Sequence, residues 1–212
     1  MEAMEDAVRG AFQSERLLYR PVEDNDEDKG FIHEAILSDP VSRAMGNPSL
    51  FVPVTREVSY AEIEAGMKGS LLGLLICLPG EESTSGDKKN GDSNSTPIGF
   101  LFLHKYISDT TAHLRRTRIS IQLAKPYQGK GYGTEAIRWV LAWTFQWAGL
   151  HRVEIAAASY NERAVKLYTK LGFTMEGRQR EAVFMNGEWY DIVSFGILQH
   201  EWKAQFGRQQ IE

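Results

Sequence analysis

From about residue 15 onward, short apolar stretches alternate with amphipathic ones, and the periods separate strands from helices. Residues 15–22 (ERLLYRPV) read as a first strand that Pro21 brings to an end. The acidic run 23–28 reads as a solvated turn before a helix from about Lys29 to Leu37. Ser38-Asp39-Pro40 terminates that helix, because a residue before proline avoids the α region. Gly46-Asn47-Pro48 and Pro53 predict irregular backbone. Thr55 reads as the N-cap of a second helix that runs to about Lys68 and closes at Gly69. Residues 71–78 form an unbroken apolar run, the pattern of a strand buried on both faces, and residues 98–103 form another. After a turn near Ser108-Asp109-Thr110, a fourth strand over about 113–123 sets Ile119, Ile121 and Leu123 on one face. Residues 131–147 carry Ile137, Val140, Leu141 and Thr144 at helical core spacing.

Residues 151–158 read as a strand. Residues 161–170 read as a short helix with Ala164, Leu167, Tyr168 and Leu171 on its inner stripe and Gly172 past its end. A strand starts at 173–178, Asn186-Gly187 marks a hairpin turn, and 191–198 is the last strand. From His200 the tail is helical or frayed. No internal repeat is present. The order gives a single α/β domain with a mixed sheet over residues 15–202. Residues 1–14 are expected to be a loose leader and 203–212 a tail. Residues 79–97, rich in Gly, Ser, Asp, Lys and Asn, have nothing to pack a core and read as a flexible insertion between two strands.

Composition narrows the functional classes. The net charge of -4 makes nucleic acid a poor partner. The single cysteine, Cys77, excludes an intrachain disulfide and a cysteine zinc cluster, and its apolar surroundings suit a small hydrophobe better than a nucleophile. The five histidines lack metal-ligand spacing, so no metal is expected. No apolar run has the length of a membrane helix. The acidic N-terminus, MEAMEDAVRG, has no secretory h-region, so a cytoplasmic location is expected.

The candidate chemistry begins at Gln128-Gly129-Lys130-Gly131-Tyr132-Gly133-Thr134. A glycine-rich turn feeding a helix presents unpartnered N–H groups and the positive end of the helix dipole, a ready site for phosphate. The alternative is a tight strand-to-helix connection with no ligand. A P-loop is disfavoured because its Lys-Ser/Thr ending is absent.

This stretch resembles the Q/R-x-x-G-x-G/A loop of the GCN5-related N-acetyltransferases. Asn161 to Phe173 (NERAVKLYTKLGF) is similar to that family's second signature, and Gly187-Glu188-Trp189-Tyr190-Asp191 resembles the branch that acetylates ribosomal-protein N-termini and polyamines. The resemblance covers about residues 15–202. It implies a mixed, mostly antiparallel central sheet flanked by helices, and acetyl-CoA as co-substrate. The backbone N–H groups of 129–134 would hold its pyrophosphate, and the main chain of Ile121 and Leu123 would pair with the pantetheine arm. Lys130 either adds charge or is a solvated lysine. Tyr168 matches the general-acid tyrosine, with a half-buried core aromatic as its other reading. Asn161 matches a CoA-contacting residue and is also an ordinary helix N-cap. Ala164, in the same signature, joins the donor-binding set. The N–H of Leu123 is a candidate oxyanion donor.

The pattern breaks at the base. Relatives carry Glu where this chain has Arg118, and arginine cannot accept the proton of an amine. Glu181, Glu188 or Asp191 could serve instead, or a water chain that Ser120 orders, or an acceptor of low pKa. Arg118, with Arg115 and Arg116, either lies on a solvated face or favours an anionic acceptor. Phe51, in the irregular early stretch, is a candidate acceptor contact. The expectation is direct acetyl transfer to the primary amine of a small molecule. Acetylation of a protein N-terminus, or acyl-CoA binding without catalysis, are the alternatives, and homodimerisation is a family-level expectation.

Overall fold

A computed structural model describes residues 2–80, 95–105 and 111–207. Most of the expected 79–97 insertion, the turn near 108–110 and the end of the tail lie outside the described residues. Among the described residues seven strands, β1 (Leu18–Pro21), β2 (Ser70–Leu78), β3 (Thr96–Lys105), β4 (Arg116–Leu123), β5 (Arg152–Ala158), β6 (Thr174–Met185) and β7 (Glu188–Leu198), form one sheet in the order β1-β2-β3-β4-β5-β7-β6. Each neighbouring pair is antiparallel except β4–β5. The α-helices are α1 (Glu2–Arg9), α2 (Asp26–Ile32), α3 (Pro40–Gly46), α4 (Arg56–Lys68), α5 (Tyr132–Gln146), α6 (Glu162–Lys170) and α7 (Gln199–Phe206).

Both faces of the sheet are covered, which explains the unbroken apolar runs. Along β3, Leu101 and Leu103 join Ile119, Ile137, Val140, Leu141 and Leu171 in the core beneath α5 and α6. Phe100 and Phe102 point the other way, to Ile32, Ile36, Ile63 and Cys77 beneath α2 and α4. Burying each such aliphatic side chain contributes roughly 1.5–3 kcal/mol. The Asn186-Gly187 turn joins β6 to β7 with positive φ at both residues, as a tight hairpin turn of the predicted type requires.

Three expectations are corrected. The loose leader is instead helical over α1 and held by Trp139. The Trp139 indole donates to the Ala11 carbonyl (3.1 Å), Tyr19 stacks on its ring at 3.7 Å, and Phe12 lies 6.3 Å away. The acidic run is exposed as far as Glu27, but α2 starts within it, at Asp26, rather than at Lys29. Asn25 caps it by accepting from the Asp28 N–H (2.9 Å), and Asp26, Glu27 and Asp28 sit where the helix dipole favours negative charge. A π-helical turn, His33–Leu37, continues α2 and keeps Ile36 and Leu37 buried. Asp39-Pro40 ends one helix and begins another. Asp39 accepts from Ser42 N–H (2.8 Å) and Pro40 takes the first position of α3, where a missing N–H costs nothing. By contrast α4 runs between its Thr55 cap and Gly69 as the spacing predicts.

Candidate active site

The site is built on an interruption in the sheet. β4 and β5 pair over Arg116↔Arg152, Thr117↔Val153 and Arg118↔Glu154, and no further. β4 continues to Leu123 and stays paired with β3 up to Gly99↔Leu123, while Ala124 N–H donates to the Ile98 carbonyl (2.9 Å). Backbone groups in an antiparallel ladder alternate between edges, so the N–H groups of Ile121 and Leu123 face the gap. The Leu123 carbonyl accepts from Gln128 Nε2 (2.9 Å), which turns the chain away from β5 into a short 3₁₀ turn, Lys125–Tyr127.

That turn delivers the glycine loop to the start of α5. Gly129 and Gly131 have φ of +78° and +89°, where a side chain would cost roughly 1–2 kcal/mol. The first helical hydrogen bond runs from Glu135 N–H to the Gly131 carbonyl (3.1 Å), and no side chain caps α5, so the amides ahead of it are the ones a helix leaves for a ligand. Arg16 anchors the loop. Its guanidinium pairs with Glu135 (2.8 Å), donates to the Lys130 carbonyl (3.3 Å) and lies 4.8 Å from the centre of the Tyr132 ring.

α6 forms the other rim. Tyr168 is 8% exposed, packed at 5.8 Å and 6.1 Å between Phe195 and Phe173. Burial pushes its hydroxyl up to about 12, so it stays protonated at neutral pH. α3 closes over the gap from the opposite face of the sheet. The Tyr160 hydroxyl donates to the Ala44 carbonyl (2.6 Å) and Asn161 Nδ2 to the Met45 carbonyl (3.0 Å). Gly46 rests against Gln122, so closely that a Cβ there would come within 1.4 Å of the Gln122 amide nitrogen.

Together these elements enclose a cleft of about 750 Å³. Ile121, Leu123, Gln128, Gly133, Ala164 and Tyr168 line it toward α5 and α6, and Val41, Met45, Glu62, Phe102, His104 and Ser120 toward α3 and α4. His104 Nε2 and Ser120 Oγ are 2.7 Å apart. Burial, and then the Arg118 guanidinium, hold the His104 imidazole below its usual value.

The family model for the acetyltransferase (GNAT) domain matches residues 16–174. The chain belongs to the GNAT family. This GNAT chain is 34% identical over 91 residues to the Bacillus subtilis protein YdaF, provisionally named a ribosomal N-acetyltransferase, covering 43% of this chain and 50% of that one. It is 32% identical over 91 residues to the spermidine N(1)-acetyltransferase of Escherichia coli, covering 43% and 49%. The matched chain thus spans about half the length of these relatives. Among solved structures, a GNAT-family acetyltransferase from Bacillus anthracis superposes with a TM-score of 0.68 at 23% identity, over 89% of this chain and 98% of that one. The spermidine N-acetyltransferase from Vibrio cholerae, in complex with CoA and spermine, gives 0.67 at 23%, over 89% and 99%. At that identity the likeness establishes the fold, a mixed and mostly antiparallel sheet flanked by helices.

The structure of this GNAT protein brings most of the expected donor residues together. Ile121, Leu123, Gln128, Gly133, Asn161, Ala164 and Tyr168 all line the cleft, and so does Ser120. Gly129, Gly131, Tyr132 and Thr134 form the loop and first turn of α5 beside it. Lys130 is exposed, its ammonium 5.8 Å from the Tyr127 ring, and it is not a lining residue. Asn161 is already committed on both polar atoms. Its oxygen caps α6 at Ala164 N–H (3.2 Å) and its nitrogen holds α3.

The acceptor-side expectations need correction. Phe51 is 53% exposed and outside the cleft, because the chain after α3 runs over the surface. Arg118 shares a sheet face with Ser120 but lies beside Glu154 (3.8 Å), in a separate small hollow of about 150 Å³. Of the three carboxylates considered as base, none lines the cleft. Asp191 pairs with Arg178 and accepts from the Glu181 N–H (2.9 Å), and Glu188 accepts from the Tyr190 hydroxyl (2.6 Å). The titratable groups that do line it on this side, Asp39, Glu62 and His104, were not singled out in the sequence. His104 was hidden because its proximity to Ser120 depends on the β3–β4 register, which the local pattern does not fix.

Among the described residues no helix is long and apolar enough to cross a membrane, and no group of His, Cys, Asp and Glu side chains is arranged to hold a metal ion.

Proposed function

We propose that this GNAT protein transfers the acetyl group of acetyl-CoA directly to the primary amine of a small molecule. The observation that carries the reading is the gap beyond Arg118↔Glu154, which joins a phosphate-suited helix start on one face of the sheet to an enclosed cleft on the other. The residues present fit acetyl-CoA. The N–H groups of 129–134 suit its pyrophosphate, and at Gly129 even a Cβ would meet no protein atom within 4 Å. The gap-facing main chain of Ile121 and Leu123 offers a strand edge to the pantetheine arm. In this reading the Leu123 N–H stabilises the oxyanion, and the protonated Tyr168 supplies a proton to the departing thiolate.

Attack is direct because no thiol borders the cleft. Cys77 lies fully buried in the core beneath α2 and α4, away from the cleft wall, and burial raises its thiol further from the reactive thiolate form. The cleft suits a neutral or weakly charged acceptor better than a polycation. Its carboxylates are engaged, Asp39 as a helix cap and Glu62 in a pair with Arg43 (2.9 Å), and Val41 and Met45 make its wall apolar. The test is free-thiol release from acetyl-CoA with arylamines, amino acids, spermidine and short peptides. Release with a small amine is expected. Preference for peptides would move the reading to a protein N-terminal acetyltransferase, and no release with any acceptor would leave an acyl-CoA-binding module.

A further inference from the structure

Resting on that reading, we propose that Ser120 and His104 carry the proton away from the acceptor amine, in place of the missing carboxylate. Ser120 and His104 both line the cleft and are within hydrogen-bond reach of each other, at 2.7 Å. The two acidic side chains on the cleft wall are held by other partners, Asp39 by Ser42 and Glu62 by Arg43. Two residues along β4, on the same face as Ser120, the Gln122 side-chain oxygen is buried without a hydrogen-bond partner among the described residues. A buried acceptor without a donor costs stability unless a ligand supplies one. A primary amine has two N–H donors, one for Ser120 Oγ and one for Gln122 Oε1, and keeps its lone pair for attack.

The transfer balances as follows. Neutral His104 carries its proton on Nδ1, and Nε2 accepts the Ser120 hydroxyl. The acceptor attacks as the neutral amine, and its nitrogen becomes positively charged as its lone pair forms the N–C bond. That nitrogen gives a proton to Ser120 Oγ as the serine's own proton passes to Nε2, and the electron pair of the broken N–H bond stays on the nitrogen as the thiolate leaves. Ser120 is unchanged, and the imidazolium returns its proton to water. Arg118 lies directly opposite His104 in the β3–β4 register and disfavours the imidazolium, while Lys105 follows His104 on β3. Glu62 faces the cleft from α4 in its pair with Arg43, and Asp39, Lys125 and Arg163 complete the charged lining. A base held this low takes a proton readily only from a strongly acidic N–H, such as that of the charged nitrogen an arylamine carries after attack, so arylamines are taken ahead of polyamines.

The decisive experiment is the pH profile of kcat/KM with an arylamine. In the wild type the limb is expected below pH 6.5, in the direction burial sets for His104. His104→Gln is expected to lose about 10²-fold or more at neutral pH with the KM for acetyl-CoA unchanged. Added imidazole is expected to restore part of the rate of His104→Gly, which a purely structural histidine would not allow. Long-range ¹H–¹⁵N spectra of the unliganded protein, with His104 assigned by its absence in His104→Gln, give a readout independent of turnover. The ring is expected to be neutral at pH 7 with its proton on Nδ1, and to titrate higher in Arg118→Gln. A His104→Gln enzyme with an unchanged rate and limb, or a charged ring at pH 7, would overturn the relay and leave the acetyltransferase reading intact. A wild type that releases no thiol with any amine would overturn both.

Discussion

The two sides of the cleft are built in different ways. The side proposed to hold acetyl-CoA comes mainly from two short contiguous segments, 128–134 and 161–168, each at the start of a helix, with the end of β4 between them. Its geometry is local, because glycine dihedrals, helix starts and N-caps are set within a few residues. The opposite side is assembled from α2 and its π-helical turn, α3, α4, β3 and β4, with lining residues spread from 32 to 122. No short segment contains it. A shared donor can therefore be held by a motif, whereas the part that selects the acceptor exists only after the chain has packed.

Substitutions can break or sharpen that contrast. Tyr168→Phe, at the boundary between the sides, is expected to lower kcat by about 10²-fold or more with both KM values retained. Its ring packing survives, so an unchanged kcat would reduce Tyr168 to a core aromatic. Gly131→Ala acts on the donor side alone. Its φ of +89° makes strain of roughly 1–2 kcal/mol, and acetyl-CoA is expected to bind about tenfold more weakly while the acceptor KM holds. Gly46→Ala is the mirror test. Displacing Gln122 is expected to raise the acceptor KM about fivefold and leave acetyl-CoA binding alone. If both constants move together in either variant, the two sides are not independent.

Asn161→Ala removes a helix cap and a tie to α3 at once. A loss of about 1 kcal/mol is expected in urea unfolding. The smallest effect concerns Glu135. Burial works against its carboxylate, but bonds from the Arg16 main chain, Ser14 and the Arg16 side chain together outweigh it and lower the pKa from 4.5. Its stabilisation is therefore complete above pH 4.5 and fades as pH falls through the lower folded value. Glu135→Gln is expected to flatten the acid side of the stability profile, measured as urea midpoints above and below that pH.

The strands, α4, α5 and α6 were legible because their periodicity and caps agree with where they pack. Ile137, Val140, Leu141 and Thr144 are all buried, as the spacing requires. The N-terminal third was less legible for identifiable reasons. Asp39-Pro40 carries a stop signal and a start signal in the same two residues. The acidic run before Lys29 is solvated and hides a helix start, because Asn25 within it is the cap and Asp26 the first helical residue. The leader was unreadable alone, since Trp139, more than a hundred residues away, holds it. At the site, Gln128 to Thr134 and Asn161 to Tyr168 could be found by pattern. His104, Gln122 and Glu62 could not, since their common wall depends on strand register and on the placement of α3 and α4.

The short β4–β5 ladder also bears on how the molecule assembles. β1 to β4 pair in chain order, and β5, β6 and β7 form a second antiparallel group, so most pairings on either side of the seam are between nearby segments. Only three register pairs stitch the groups together, through the sheet's one parallel contact. Local pairings form early and parallel joins late, because the long chain closure must come first. The seam is thus expected to be the last line to zip during refolding, and the first to admit solvent deuterium in native-state exchange.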